Sequence, residues 1–355
     1  MVKKSFYNFW KGKKVFITGH TGFKGSWLIF LLKNLGATVS GYSLKPRKKD
    51  LIFLKSNLKK TCLNFYGDIR DIRKLEKAIL RSKPEILIHM AAQSLVLPSY
   101  EKSLETFEVN FNGTLNILEL IKKLKIKSSV IVTTDKVYHN KNKKKKHFQE
   151  KDPLGGSDPY SVSKVSAEHL VECYNKNFFI NKKINVVSAR AGNVIGGGDR
   201  SEFRVIPDYF RSIEKNKPMI IRFPNAIRPW QHVLDPLFGY LLLAKMCYEK
   251  KRIPSYSWNF SQNDNNSVTV KQLVSRLNKF FRIKVKINSS KNNLKEKKFL
   301  NLSSKISKKY LKWSAAYNTE KTIKKIFEWE NFFKKNKSAN FICDKQVADY
   351  LSIIK

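Results

Sequence analysis

The 355-residue chain has few cysteines, few acidic residues and no long apolar run. Its four cysteines, Cys62, Cys173, Cys247 and Cys343, lie far apart without a CxxC pair, which favours buried thiols in a reducing compartment over a disulfide framework. The longest apolar runs, WLIFLL and YLLLA, are too short to cross a bilayer, and the basic N-terminal stretch lacks the apolar segment of a signal peptide. We therefore expect a soluble cytoplasmic protein with no membrane partner.

The shortage of acids leaves a large positive charge, because 70 Lys+Arg face 28 Asp+Glu and the formal charge is +42. Such a charge could serve a polyanionic partner such as nucleic acid. However, the lysines are spread along the whole chain, and no helix-turn-helix, zinc-finger or aromatic RNA-binding motif accompanies them. The sequence thus favours surface composition with no specific nucleic-acid partner, and a solvated loop for the lysine-rich run 140–147.

Strand and helix patterns alternate through the first half of the chain. Short apolar segments typical of buried strands are followed by longer segments of helical length. The predicted strands are KKVFITG, ATVSGYS, PEILIHMAAQ, SSVIVTT and INVVSARAGNVIGGG, and the predicted helices are SWLIFLLKNLG, DIRDIRKLEKAILRSK, SLETFEVNFNGTLNILELIKKL and SDPYSVSKVSAEHLVECYNKNF. This order predicts an α/β fold with a Rossmann-like, doubly wound parallel sheet.

Beyond about Gly198 the pattern becomes irregular, with helical segments at SVTVKQLVSRLNKFF and KTIKKIFEWENFF and a short strand near IKVKIN. We assign 1–192 plus about 233–262 to a dinucleotide-binding domain. A smaller, partly discontinuous C-terminal substrate lobe takes about 193–232 plus 263–335. The sequence assigns no role to the tail, 336–355.

A glycine array follows the first predicted strand in VFITGHTGFKGSWL. Gly19, Gly22 and Gly25 form GxxGxxG, with Thr21 and Phe23 between them. Without Cβ atoms such a turn can approach a pyrophosphate, whose charge then sits at the N-terminus of the following helix. At the first strand-to-helix turn of an alternating chain, this array predicts a dinucleotide site.

Two further segments fit a dinucleotide. Asp68 and Ile69 in GDIRD stand at the end of a third strand, between ATVSGYS and PEILIHMAAQ, where a carboxylate can bind an adenine amino group. The segment HMAAQ supplies the small side chains of Ala91 and Ala92, and then Gln93, where the cofactor backbone would pass.

The second strand lacks the acid that an NAD site usually offers to the ribose. The segment VSGYSLKPRKK has no carboxylate before Asp50, and its Lys45 and Arg47 could suit a 2′-phosphate. The residues alone therefore lean slightly towards NADP, or leave the choice between NAD and NADP open.

A tyrosine and a lysine stand four residues apart in YSVSK, on one face of a predicted helix. A lysine ammonium beside a phenol stabilises phenolate, so Tyr160 with Lys164 could remove the proton of an alcohol while hydride leaves for a nicotinamide. Thr134, in VTTDKVY, would supply the hydroxyl that orients the same alcohol. No metal site is assigned.

The glycine array, HMAAQ, TTDK and YSVSK, in this order, resemble the extended short-chain dehydrogenase/reductase family, whose members modify nucleotide sugars. Within that family the strings GDIRD, TTDKVY, DPLGGSDPYSVSK, SARAGNVIGGGD and IRPWQHVLDPLFGYLLLA are similar to the CDP-glucose 4,6-dehydratase branch. The resemblance implies NAD as cofactor, CDP-glucose as substrate and a homodimer or homotetramer. The implied reaction oxidises C4 of the sugar, eliminates water across C5–C6 and returns the hydride to C6.

The resemblance also implies roles for two neighbouring residues after the fifth strand. Asp135 is the candidate acid for the leaving 6-hydroxyl, whereas Lys136 could be the C5 base, share a proton with Asp135 or stabilise the enolate as a cation. An ion pair on the protein surface is the alternative without chemistry. The sequence does not choose among these.

At the nucleotide end, the resemblance assigns three substrate contacts. Asn193 in RAGN matches a position that meets the sugar phosphate, and Arg204 in FRVIP stands at the start of a predicted helix over the nucleotide. Arg228 in IRPWQH matches a diphosphate-binding arginine, whose guanidinium suits phosphate.

Overall fold

The computed structural model describes residues 2–140, 147–180, 182–250, 253–262, 267–287 and 299–354. Most of the lysine-rich run 140–147 lies outside these ranges. The strands in the described ranges are β1 Lys14–Thr18, β2 Thr38–Ser43, β3 Leu63–Tyr66, β4 Ile86–His89, β5 Ser128–Val132, β6 His147–Phe148, β7 Asn185–Ala191, β8 Val194–Ile195, β9 Met219–Ile221, β10 Ile227–Arg228, β11 Gln231–His232, β12 Ser257–Phe260, β13 Val268–Thr269, β14 Val285–Ile287 and β15 Asn301–Leu302.

Helices connect and flank these strands. They are α1 Val2–Trp10, α2 Phe23–Asn34, α3 Leu51–Leu54, α4 Leu58–Thr61, α5 Ile72–Ser82, α6 Val96–Glu101, α7 Ser103–Phe107, α8 Gly113–Leu124, α9 Pro159–Tyr174, α10 Val205–Glu214, α11 Leu234–Glu249, α12 Val270–Asn278, α13 Lys305–Leu311, α14 Thr319–Asn336 and α15 Asn340–Ile353. A π-helical turn, Glu108–Asn112, joins α7 to α8, so the long helix predicted over 103–124 carries an internal bulge.

Seven strands form one sheet in the order β12-β7-β5-β4-β1-β2-β3. Every neighbouring pair in this sheet is parallel, so the predicted doubly wound fold is confirmed. The chain reverses its direction of travel across the sheet between β1 and β4. In such sheets ligands bind at this switch point, outside the carboxyl ends of the strands.

Alternating side chains of the central strands enter two apolar layers. Val15 and Ile17 of β1 pack with α2, α11 and α15 on one face, whereas Phe16 packs with α5, α8 and α9 on the other. Both faces of the sheet are therefore covered by helices, as parallel strands require.

A separate apolar cluster joins α10, β9, α12 and α14. Four two-stranded sheets lie outside the main sheet, pairing β10 with β13, β8 with β11, β9 with β14 and β6 with β15. The assignment of these segments to a distinct substrate lobe remains a prediction.

The C-terminal tail, for which the sequence suggested no role, contains α15. This helix buries Val347, Tyr350 and Leu351 in the same apolar layer as α2. Its start is fixed by the Ala339 N–H, which donates to the Lys55 carbonyl at 2.7 Å. The tail thus packs against α2, the helix that follows the glycine array, and covers the core on that side.

Tyr350 reaches a buried carboxylate at the start of α11. Asp235 accepts hydrogen bonds from the Tyr350 hydroxyl at 2.9 Å and from the Ala316 N–H at 2.7 Å, and burial raises its pKa from about 3.8 to about 7. Because the folded state holds this proton more tightly than the unfolded state, the contribution of Asp235 to stability is lost as pH rises from about 4 to about 7.

Asp235→Asn mimics the protonated carboxyl and is expected to remove this pH dependence. The Tm of the variant minus the Tm of the wild type should therefore increase between pH 5 and pH 8 in thermal melts. A difference that stays constant over this range would show that the buried carboxyl does not titrate there.

Cysteine burial differs from the prediction at one position. Cys62, Cys247 and Cys343 are buried, but Cys173 is exposed, because its place on α9 faces away from the sheet. In the described ranges, none of the helices has the length and hydropathy needed to span a membrane.

Candidate active site

A cavity of about 550 Å³ opens along the carboxyl edge of the sheet, across the switch point. Among the residues that line it are all but one of those assigned to the site from the sequence. These are Gly19, Thr21, Gly22, Phe23, Gly25, Asp68, Ile69, Ala91, Ala92, Thr134, Asp135, Lys136, Tyr160, Lys164, Asn193, Arg204 and Arg228. The fold brings them together because each cluster follows the end of a parallel strand or begins the next helix.

The glycine turn fits a dinucleotide because two of its glycines permit backbone contacts that a side chain would block. A Cβ on Gly19, where φ is +73°, would lie 2.8 Å from the Ala91 nitrogen, and a Cβ on Gly25 would lie 2.3 Å from the Gly19 oxygen. Gly22 immediately precedes α2 and offers no side-chain cap, which leaves the N-terminal N–H groups of this helix available as a cradle suited to pyrophosphate.

The adenosine end of the cradle is formed by the loops after β2 and β3. Arg70 binds the Asp68 carboxylate through Nη2 at 2.7 Å and lowers its pKa, so Asp68 is ionised and can accept from an amino group. Lys45 and Arg47 line the same cavity. Asp50 also lines it and accepts from the Arg47 N–H at 2.8 Å.

Gln93 is the one predicted cofactor residue that does not line the cavity. Its amide nitrogen donates to Thr106 at 3.0 Å and to the Leu95 carbonyl at 2.9 Å. Its backbone is held by Asn110, in the π-helical turn, through two 2.9 Å bonds. The structure therefore places Gln93 as a support for the loop after β4, and the sequence could not show this because the π-helical turn that supplies Asn110 was not predicted.

The stretch after β5 forms a short 3₁₀ turn, Asp135–Val137, directly below the cavity. Asp135 is only 2% exposed, and its Oδ1 accepts a hydrogen bond from the Thr134 hydroxyl at 3.1 Å. The Asp135 carboxyl is therefore not on the surface, as the hypothesis of a surface ion pair with Lys136 requires. Lys136 is half-buried in the same lining.

Tyr160 and Lys164 lie in the first turns of α9, whose N-terminus is capped by the Asp158 carboxylate and begins with Pro159. Both side chains are buried, and the Thr134 hydroxyl lies near enough to the Tyr160 phenol to act on its pKa. Lys164 Nζ donates to the Val132 carbonyl at 3.2 Å, which anchors α9 to the end of β5.

The pKa values of Tyr160 and Lys164 differ from the expectation based on their spacing along the helix. Burial raises the pKa of Tyr160 to about 12, although Thr134 acts against this rise. Burial lowers the pKa of Lys164 to about 8. Desolvation therefore dominates the pKa of Tyr160, and the positive charge that opposes the rise comes from Arg204, whereas the sequence argument assigned this effect to Lys164.

At the nucleotide end, Arg204 precedes α10 and spans the cavity. Its guanidinium donates to Asp199 at 3.3 Å on one side and to the Ser94 hydroxyl at 3.3 Å on the other. Arg228 is 3% exposed and lines the cavity together with Asn193. The two arginines thus supply positive charge at the end predicted to hold a diphosphate.

Sequence reasoning missed Lys24, which lies inside the glycine array and lines the cavity. Burial lowers its pKa to about 8, with Arg204 and Lys164 adding to the effect. A lysine between two glycines of a phosphate turn was the available signal. Among the described residues, no cluster of three or more His, Cys, Asp or Glu could hold a metal ion.

Comparisons with known proteins identify the family of the chain. The sequence profile described as GDP-mannose 4,6 dehydratase matches residues 16–326. A CDP-glucose 4,6-dehydratase from Salmonella typhimurium is 39% identical over 97% of this chain and 98% of its own length.

Solved structures with the same fold are more distant in sequence. An epimerase from Methanothermobacter thermautotrophicus superposes with a TM-score of 0.81 at 21% identity, over 96% of this chain and 99% of that one. A dTDP-glucose 4,6-dehydratase from Bacillus anthracis, solved in complex with NAD, gives a TM-score of 0.75 at 20% identity, over 92% and 98% of the two chains.

The profile match covers most of the chain, and the Salmonella relative is matched over nearly its full length. The protein belongs to the GDP-mannose 4,6-dehydratase family, within the extended short-chain dehydrogenases/reductases.

Proposed function

We propose that this protein is an NAD-dependent CDP-glucose 4,6-dehydratase that forms CDP-4-keto-6-deoxyglucose. One observation carries the proposal: a single cavity contains both the pair needed to oxidise an alcohol, Tyr160 and Lys164, and a buried acid, Asp135, next to a lysine. A dehydrogenase needs only the first pair. An acid and a possible base in addition suit an elimination that follows the oxidation.

In the oxidation step, Tyr160 takes the proton of the C4 hydroxyl and Thr134 orients that hydroxyl. Bound NAD supplies the acceptor for the C4 hydride and the donor that returns it to C6, so there is no net redox change. Because burial raises the pKa of Tyr160, the protein must stabilise phenolate with nearby positive charge. Lys164, Lys24 and Arg204 are the cations around this part of the cavity.

In the elimination step, the C4 ketone acidifies the C5 hydrogen. Asp135, whose carboxyl is buried beside Thr134 and lines the cavity, gives a proton to the departing 6-hydroxyl. Lys136 takes the C5 proton and returns a proton to C5 when the hydride adds to C6. If Lys136 instead stabilises the enolate oxygen as a cation, the Asp135 carboxylate takes the C5 proton and passes it to the departing hydroxyl, and C5 regains a proton from solvent. Arg204 and Arg228 hold the diphosphate, and Asn193 meets the sugar phosphate.

Product analysis with several nucleotide sugars tests this assignment. The purified protein should convert CDP-glucose with NAD+ to a 4-keto-6-deoxy product, and should act far more slowly on dTDP-glucose and GDP-mannose. A faster dehydration of either of these sugars, or an epimer as the product, would assign the protein to another activity of the family.

Cofactor choice provides a second test of the adenosine end. NAD+ should support activity at a lower concentration than NADP+, although Lys45 and Arg47 line the cavity, because the family resemblance implies NAD and a dehydratase of the same fold was solved with NAD. Initial rates at varied concentrations of each cofactor measure this preference. Equal or better support by NADP+ would show that the basic loop binds the 2′-phosphate.

We also propose that the protein acts as a homodimer or homotetramer in the cytoplasm, without a specific nucleic-acid partner. Leu104 on α7 and Val162 on α9 are exposed apolar residues on neighbouring helices, which offers a surface for a second copy. Light scattering on the purified protein should give at least twice the 41.3 kDa chain mass. A monomer at micromolar concentration would contradict this assembly.

A further inference from the structure

A buried ion pair lies directly behind the candidate active site. Glu168 is on α9, four residues after Lys164, and Arg190 is on β7; the side chain of each is 3% exposed. Arg190 binds the carboxylate through Nε at 2.9 Å and through Nη2 at 2.7 Å. Although burial acts to raise the pKa of Glu168, Arg190 together with the hydroxyls of Ser188 and Thr133 holds it below its usual value, so the pair is ionised.

This ion pair contacts both ends of the catalytic turn, defined as Thr134 to Val137. At the front, the hydroxyl of Thr133 donates to Glu168 Oε1. At the back, Arg190 Nη1 donates to the hydroxyl of Tyr138 at 2.7 Å, and the guanidinium lies over the Tyr138 ring at 5.0 Å. The residues on either side of the catalytic turn are therefore tied to one charge pair.

A buried ion pair is weak evidence for stability, because apolar residues of similar size often stabilise a core at least as well. The directional hydrogen bonds of such a pair are better suited to fixing the relative positions of the segments that it joins. Here it joins α9, which carries Tyr160 and Lys164, to the turn that carries Thr134, Asp135 and Lys136. Hydride transfer and elimination both require these two groups to face one sugar ring in a fixed register.

We propose that Glu168 and Arg190 are positioning residues that clamp the catalytic turn at Thr133 and Tyr138 and keep it in register with α9. The proposal rests on the assigned dehydratase activity. It predicts that opening either end of the clamp slows the chemical steps and leaves substrate binding almost unchanged, since Arg204, assigned to the diphosphate, is held by Asp199 and Ser94 and not by the clamp.

Two hydroxyls on the same carboxylate provide a matched pair of variants. Thr133 donates to Glu168 Oε1 and adjoins the catalytic turn, whereas Ser188 donates to Oε2 at 2.5 Å from β7 and does not adjoin it. Thr133→Val should lower kcat by at least about tenfold, the scale expected of a misplaced catalytic group, with KM changed by less than about twofold. Thr133→Ser, which keeps the hydroxyl, should restore kcat, and Ser188→Ala should retain it.

Tyr138→Phe opens the other end of the clamp and should give the same fall in kcat. This variant therefore tests the positioning role of Glu168 and Arg190 if Thr133→Val does not fold. Thermal melts of all variants separate lost stability from lost turnover. Equal kcat in Thr133→Val, Tyr138→Phe and Ser188→Ala, whether normal or reduced, would overturn the proposal. If the wild type dehydrates a different nucleotide sugar, the assigned substrate fails, and the same ratios measured on that sugar still decide the role of the clamp.

Discussion

Tyr160→Phe is expected to lower the turnover of CDP-glucose by at least about a hundredfold. The phenol is the group placed to take the C4 proton, and removal of a general base commonly costs at least this factor. The ring remains, so the buried packing at the start of α9 and the binding of the cofactor should survive. Steady-state turnover, with cofactor binding and a thermal melt as checks on the fold, measures this effect.

Tyr240→Phe provides the control for the loss of a buried hydroxyl. Tyr240 is fully buried on α11, does not line the cavity, and its hydroxyl has no hydrogen-bond partner among the described residues. Its substitution should leave turnover within about twofold of the wild type. A Tyr160→Phe variant with near-normal turnover would show that another group takes the C4 proton.

Asp135→Asn is expected to separate oxidation from elimination. The amide keeps the size of the side chain but cannot give an acid proton to the departing 6-hydroxyl, whereas Tyr160 and Thr134 still permit oxidation at C4. The absorbance of reduced cofactor should therefore appear on mixing with CDP-glucose and persist, and formation of the 4-keto-6-deoxy product should fall by at least about a hundredfold. Rapid-mixing absorbance and product analysis report the two steps.

Lys136→Met tests the partner of Asp135 in the same experiment. If Lys136 is the C5 base, exchange of the C5 hydrogen with solvent deuterium should continue in Asp135→Asn and fall in Lys136→Met. If Asp135→Asn instead prevents reduction of the cofactor while its melting temperature is normal, the carboxyl belongs to the oxidation step and the assigned division of labour is wrong.

The arrangement of the main sheet and most of the lining of the cavity could be predicted from the sequence, for a common physical reason. Parallel strands in a doubly wound sheet place their carboxyl ends at one edge, so residues that follow β1, β3, β4, β5 and β7 must meet there. Asp68, Ala91, Thr134 and Asn193 each follow a strand by one to three residues. Strand alternation therefore predicts that they meet in one cleft, and the family resemblance added the role of Asn193.

Contacts that depend on tertiary packing could not be predicted. Strand β12 has four residues, too few for a periodic pattern. The pKa of Tyr160 is governed by burial, which spacing along a helix does not report. Gln93 faces Asn110 only because α7 and α8 are joined by a π-helical turn. The Glu168–Arg190 pair joins residues 22 positions apart that no local motif connects.

The fate of the C4 hydrogen tests the proposed reaction most directly. With CDP-glucose that carries deuterium at C4, the protein and NAD+ should give a 4-keto product whose C6 methyl group contains the deuterium, detected by NMR or mass spectrometry. This result requires oxidation at C4, loss of water across C5–C6 and return of the same hydride to C6. A product without deuterium at C6, or a sugar that keeps both its deuterium at C4 and its 6-hydroxyl, would contradict the account.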